Sequence, residues 1–237
     1  MKNKKFSIII PALNEEKLIT LAITSLKKQS INRELYEIIV VDNGSTDNTF
    51  SYAQKAGADK VILEKNKGTN IARQRGVSES NGEIIAFLDA DCIAPNDWLS
   101  RIESYLSSET VLVSGPYDYG FTGITKFFDY IYQNIIIPLL PRVLYTIFRK
   151  KAGVIIGGNF ATWKWALDKI GGLPPLVFYG DDAAIAMLIS RHIGKIKFIP
   201  TLVVKSTPRR LEKNGTLKQV SKYAQAYFKI YFSKEYL

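Results

Sequence analysis

Short apolar runs alternate with longer amphipathic stretches through the first half of this chain, and few folds accept that rhythm. Lys5 to Pro11, Tyr36 to Val41, Lys60 to Leu63, Glu83 to Leu88 and Thr110 to Ser114 are rich in aliphatic and β-branched residues and read as buried strands. Between them, Glu15 to Gln29, Thr46 to Ala56, Thr69 to Ser80 and Asn96 to Ser107 read as helices. Leu18, Leu21, Ala22 and Leu26 mark the inward face of the first, and Gly57 stops the second. Strand and helix recurring every ~25–30 residues is the pattern of right-handed βαβ units. The expected fold class is therefore α/β: an open, mostly parallel sheet flanked by helices.

The second half is less regular. Phe121 to Lys151 is an apolar, amphipathic region interrupted by Pro138 and Pro141. Gly153 to Gly158 reads as a strand, Trp163 to Ile170 as a helix, Asp181 to His192 as another helix and Lys195 to Val204 as a strand. From about Leu211 a basic helical tail follows. His192, near the end of its helix and just before Gly194, reads as a cap. There is no internal repeat or low-complexity linker. The chain is expected to be one domain in two halves, 1–115 and 116–205, with the tail 206–237 appended.

Composition closes several routes. One cysteine, Cys92, and one histidine, His192, exclude an internal disulfide, a cysteine-based zinc site and any scheme needing two imidazoles. Met1 to Lys5 followed by Phe6 to Pro11 imitates the start of an export signal. Its apolar run is too short and no small-residue cleavage site follows, so a cytoplasmic setting is expected. The net charge of +10 is unevenly spread. Basic residues gather at Arg142, Arg149, Lys150 and Lys151, and again from Lys205 through Arg209, Arg210, Lys213, Lys218, Lys222 and Lys229. Both groups flank aromatic and aliphatic runs, Ile135 to Phe148 and Tyr223 to Tyr236. That pattern suits peripheral contact with an anionic membrane surface, here the inner face of the cell membrane, and nucleic acid is not expected as a partner. Pro138, Pro141 and Arg142 are expected to break the first run short of the ~18 residues a bilayer needs.

Chemistry enters where strands end. Ile84 to Leu88 is followed by Asp89-Ala90-Asp91, and read as a strand the spacing sends both carboxylates to one face at the sheet's ligand-binding edge. Two like charges held that close call for a cation, and a hard divalent metal takes oxygen ligands. Asp42 ends the second strand at the same edge, where a carboxylate can accept the imide N–H of uracil; Asp42 to Thr46 also fits an Asx turn. The turn after the first strand, Pro11-Ala12-Leu13-Asn14-Glu15-Glu16, holds no glycine. Dinucleotide-binding and P-loop units, which need glycine there, are excluded.

Six segments in register, Pro11 to Glu15, Val41 to Asp47, Gly68 to Arg73, Asp89 to Asp91, Gly157 to Ala161 and Gly180 to Asp182, resemble the family-2 glycosyltransferases of the GT-A fold over about the first 200 residues. The resemblance implies an inverting transferase acting on a nucleoside-diphosphate sugar, a UDP-sugar foremost. It makes 1–115 the nucleotide-sugar half and 116–205 the acceptor half. Pro11, Ala12, Asn14, Glu15, Asp42 and Arg73 would hold the nucleotide. Asp89 would hold ribose and share with Asp91 a bridging Mn²⁺ or Mg²⁺. Asp182 would be the general base, and Gly158, Asn159, Trp163 and Asp181, with Trp165 nearby, would line the acceptor pocket. Asp181 stands where the family usually has Glu. The Gln-x-x-Arg-Trp motif of processive members is absent, which implies transfer of a single sugar to a glycan or lipid-linked acceptor. A polyprenyl phosphate acceptor and a non-catalytic sugar-nucleotide-binding module are the alternatives.

Overall fold

Apolar residues at alternate strand positions bury both faces of a central sheet, and this fixes the architecture. The computed structural model describes residues 4–175, 180–209, 212 and 216–234. Met1 to Asn3 of the signal-like start, and Arg210, Leu211, Lys213 and Tyr236 of the expected tail, lie outside the described residues. The strands are β1 (Phe6–Ala12), β2 (Tyr36–Asp42), β3 (Lys60–Leu63), β4 (Ile84–Leu88), β5 (Thr110–Ser114), β6 (Tyr117–Asp118), β7 (Asn159–Trp163), β8 (Lys195–Phe198) and β9 (Val204–Lys205). Seven of them form one sheet in the order β3-β2-β1-β4-β7-β5-β8, while β6 and β9 pair separately. The sheet is parallel except for β7, which runs antiparallel between β4 and β5.

Helices cover both faces. Phe6, Ile8, Ile10, Ile38, Val40, Ala86 and Leu88 pack on α1 (Ile19–Leu26), α2 (Thr49–Ala56) and α4 (Trp98–Tyr105). The intervening residues Ile9, Ile39, Val41, Ile85 and Phe87 pack on the other side with α3 (Thr69–Ser78), α7 (Lys164–Lys169) and α8 (Asp181–His192). Alternation of side chains along a strand sorts them into these two layers. A third cluster joins Leu144, Ala183, Met187 and Tyr231, holding α8 against the long helix of the second half and the tail helix.

Three expectations are corrected. Gly153 to Gly158 is not a strand: Ile156 N bonds Ser114 Oγ (2.9 Å) and Asn159 N bonds Ile156 O (2.9 Å), a turn that leaves no ladder. Lys195 to Val204 is not one strand either, because β8 stops before Pro200, which has no N–H to give, and Leu202 N closes a turn onto Ile199 O. The prolines do not break the apolar region. α5 (Gly123–Ile131) passes through a π-helical turn, Tyr132–Ile136, into α6 (Ile137–Phe148). Pro138 falls in the first turn of α6, where its missing N–H costs least, and the π turn changes the bonding register just before it. The resulting helix of 26 residues is long and apolar enough to cross a membrane, and only 17% of its most apolar window is buried. The tail forms α9 (Thr216–Phe232).

Candidate active site

Parallel strands bring all their C-terminal ends to one edge, and the expected carboxylates meet there by different routes. The loop after β1 is laced to the loop after β2. Asn14, with φ of 55°, accepts from Thr46 N (2.8 Å), and Glu15 N donates to Thr49 Oγ1 (2.7 Å). Asn14 therefore shapes this edge through the β2 loop. Asp42 is buried and accepts from Ser45 N (2.8 Å), the Asx turn that its sequence suggests. Pro11 and Ala12 lie at the end of β1, with Ala12 opposite Asp42 across the ladder.

The Asp89–Asp91 pair does not sit on a strand. β4 ends at Leu88 and Cys92 N bonds Asp89 O (3.0 Å), so the pair occupies a tight turn. Period-2 alternation does not apply there, and the two side chains have different partners. Asp89 accepts from Arg73 Nη2 (3.1 Å) and from Tyr117 Oη (3.0 Å). Asp91 accepts from Thr207 Oγ1 (2.7 Å) and Arg209 Nη2 (3.1 Å), and the same Arg209 nitrogen lies 2.8 Å from each oxygen of Glu15. Gly158 belongs to this constellation through what it lacks: a Cβ there would collide with the Asp89 carboxyl and the Tyr117 hydroxyl. Its carbonyl accepts from Asp89 N (3.3 Å).

Arg73, buried on α3, connects the carboxylate turn after β4 to the start of α8. It reaches Asp89 with one nitrogen and Asp181 Oδ2 (3.0 Å) with the other. Burial works against its charge, but Asp89 and then Asp181 outweigh that and hold its pKa above the ordinary value. Asp182 follows in the first turn of α8 and accepts from Ala183 N (2.9 Å). Burial, reinforced by the neighbouring Asp181 charge, pushes the Asp182 carboxyl up to about 7. A carboxylate poised near neutrality in a cleft is suited to taking a proton.

Two expected acceptor residues have their polar groups engaged within the fold. Asn159 is fully buried; its amide donates to Leu202 O (2.6 Å) and Pro116 O (3.2 Å) and accepts from Trp98 Nε1 (2.9 Å). It is a crosslink. Trp163 pairs with Ile84 at the far end of β7, roughly 13 Å from the Leu88 end at 3.3 Å per residue, and donates to Ser107 O (3.2 Å). Trp165 lies beyond it and stacks with Lys169. Conversely, Tyr117, Thr207 and Arg209 join the site unannounced. Tyr117 follows β5, the next strand in sequence after the carboxylate turn, which is a usable signal. Thr207 and Arg209 read only as part of a basic tail.

Among the described residues no three His, Cys, Asp or Glu side chains form a ready-made metal cage. The donor set is nonetheless all oxygen, and one or two carboxylates completed by substrate phosphates is how Mg²⁺ is commonly held. That a guanidinium already joins Glu15 to Asp91 shows that this place accepts a cation.

Residues 7–171 match the sequence profile described as Glycosyl transferase family 2. The chain is 35% identical over 119 residues to the glycosyltransferase AglE of Haloferax volcanii, covering 48% of this chain and 39% of the relative. It is 41% identical over 101 residues to human dolichyl-phosphate beta-glucosyltransferase, covering 37% and 31%. It thus spans well under half the length of these curated relatives. Among solved structures it resembles the mannosyltransferase PcManGT of Pyrobaculum calidifontis in complex with GDP-Man and Mn²⁺, at a TM-score of 0.69, 22% identity and coverage of 95% of this chain and 65% of that one. Glucosyl-3-phosphoglycerate synthase of Mycobacterium tuberculosis, in complex with Mn²⁺, UDP-Glc and phosphoglyceric acid, aligns at 0.66 and 22% identity over 94% of this chain and 79% of that one. At such identity the likeness concerns the fold, which is GT-A.

Proposed function

The chain belongs to glycosyl transferase family 2, and from that premise we propose that it moves a single sugar from a nucleoside-diphosphate sugar, a UDP-sugar foremost, to a hydroxyl of a glycan or lipid-linked acceptor. The observation that carries this reading is that one buried arginine ties the donor carboxylate Asp89 to Asp181, beside Asp182 with its raised pKa. Donor and base are thereby held in fixed relation. Asp42 and the Pro11–Glu15 loop receive the base and ribose, and Asp89 orients the ribose. A Mn²⁺ or Mg²⁺ held by Asp91 with Asp89 would neutralise charge on the departing diphosphate. Asp182 takes the acceptor proton as the hydroxyl attacks the anomeric carbon from the face opposite the leaving group, so configuration inverts. Gly158 keeps the floor of the cleft open, and Asp181, locked by Arg73, borders the acceptor side.

The same proposal places the protein at the cytoplasmic face of a membrane. Ile124, Phe128, Ile135, Leu139, Val143 and Ile147 form one stripe at steps of four or seven along α5 and α6, each 45–68% exposed. The other face gives Leu144 to the third core cluster and buried Gln133 to Tyr117, so the helix is tied to the protein at its π turn and in α6 while its apolar stripe faces a lipid surface. An apolar surface beside the site favours a lipid-linked acceptor. Polyprenyl phosphate is the alternative, distinguished by a product in which sugar joins phosphate.

The test is thermal shift against nucleoside diphosphates and their sugars, with and without Mn²⁺. One base is expected to raise the melting temperature only with metal, by about 5–10 °C at a hundredfold excess over Kd. Asp91→Ala should abolish the shift. No shift with any nucleotide at millimolar concentration sinks the reading, and turnover of the donor separates it from a non-catalytic binding module.

A further inference from the structure

The chain after β9 returns across the donor edge. Its approach is pinned by the β6–β9 pairing and by an isolated bridge between Ile93 and Lys205. Two residues on, Thr207 donates to Asp91, and Arg209 Nε donates to Thr207 Oγ1 (3.0 Å) while its Nη2 joins Glu15 to Asp91. Burial works against the Arg209 charge, yet hydrogen bonds to Glu15 and Asp91 hold its pKa above the ordinary value. Arginine does not lose its proton, so it offsets one of the two negative charges that Glu15 and Asp91 bring together. The side chain is also 49% exposed and follows a strand of only two residues, so moving it disturbs little packing.

A guanidinium and a divalent metal, both cations, compete for the Asp91 carboxylate. A diphosphate, by contrast, offers the planar fork a bidentate partner. We infer that Arg209 is the resident cation of the donor site: it offsets one of the two charges of Glu15 and Asp91 before nucleotide arrives, yields Asp91 to the metal, and turns its fork onto the diphosphate. This rests on the donor-site reading above. It makes metal binding weak without nucleotide and cooperative with it.

The experiment is calorimetric titration of Mn²⁺, alone and with UDP or GDP, into wild type, Arg209→Gln, Arg209→Lys and Asp91→Asn, each first checked for an unchanged melting temperature. Without nucleotide, Arg209→Gln is expected to bind Mn²⁺ about three- to tenfold more tightly, the range that loss of a half-exposed ion pair allows. Arg209→Lys keeps the charge and stays near wild type. With nucleotide the order reverses, and Arg209→Gln binds the nucleotide–Mn²⁺ pair more weakly than wild type. Unchanged Mn²⁺ affinity in Arg209→Gln overturns the inference; if Asp91→Asn still loses Mn²⁺, the donor-site reading survives that result. Metal and nucleotide binding indifferent to Asp91→Asn would remove both.

Discussion

In the proposed reaction Asp182 concentrates the chemistry at the scale of a single residue. On that reading its replacement by Asn removes the base while keeping shape, and is expected to cost roughly 10²–10⁴ in kcat with nucleotide affinity little changed. The raised pKa adds two pH signatures. Because burial and then Asp181 push the carboxyl up to about 7, kcat/KM should rise through pH 7 and level off above it. The folded pKa lies above the ordinary value of 3.8, so the protonated form favours folding; that stability is whole below about pH 4 and lost as pH rises through 7. Asp182→Asn should therefore melt higher than wild type at pH 8, the gap closing toward pH 4. A variant less stable at pH 8 would show that Asp182 serves the fold. The positions of Asp42, Asp89, Asp91 and Asp182 in the candidate site were legible in sequence, since all stand at or just after strand ends or open a helix. Asn159 and Trp163 were not, because sequence cannot say that an amide is spent on Leu202 and Pro116, or that β7 runs backwards and carries its tryptophan to the far edge.

The long helix of the second half is mostly exposed and yet connected to the candidate site. In its π turn, buried Gln133 accepts from Tyr117 N (2.7 Å) and donates to Tyr117 O (2.9 Å), and Tyr117 holds Asp89. A π turn places Gln133 inward while the apolar stripe continues outward, the kind of local irregularity found at functional sites. Phe127→Asp with Phe128→Asp puts two charges where both rings are more than half exposed. Flotation with phosphatidylglycerol vesicles should fall by at least about tenfold, as loss of two apolar anchors predicts, with melting temperature unchanged. Undiminished flotation would remove the membrane-facing role. The prolines at 138 and 141 misled the sequence reading because their cost depends on position in a turn, and a π turn leaves no sequence mark.

Among the described residues three apolar clusters hold the molecule, and the third binds α8 to the rest. Tyr231 is fully buried there, donates to Lys150 O (3.2 Å), and meets Leu144 and Met187. Tyr231→Ala should cost about 3–5 kcal/mol and lower the melting temperature by about 6–20 °C. A loss near zero would mean that α9 is not docked in solution.

The sequence alone determined the α/β class, the succession of strands and helices in the first half and the edge to which strand-end carboxylates are carried, because side-chain periodicity and turn chemistry are local. It also placed α8 from Asp181 to His192 without error. Only the tertiary structure decided that β7 inserts antiparallel, that Arg73 spans Asp89 and Asp181, and that Arg209 crosses more than a hundred residues of sequence to Asp91. Those are long-range pairings of charges and hydrogen bonds, and their partners are set by how layers pack rather than by any residue's neighbours in the chain.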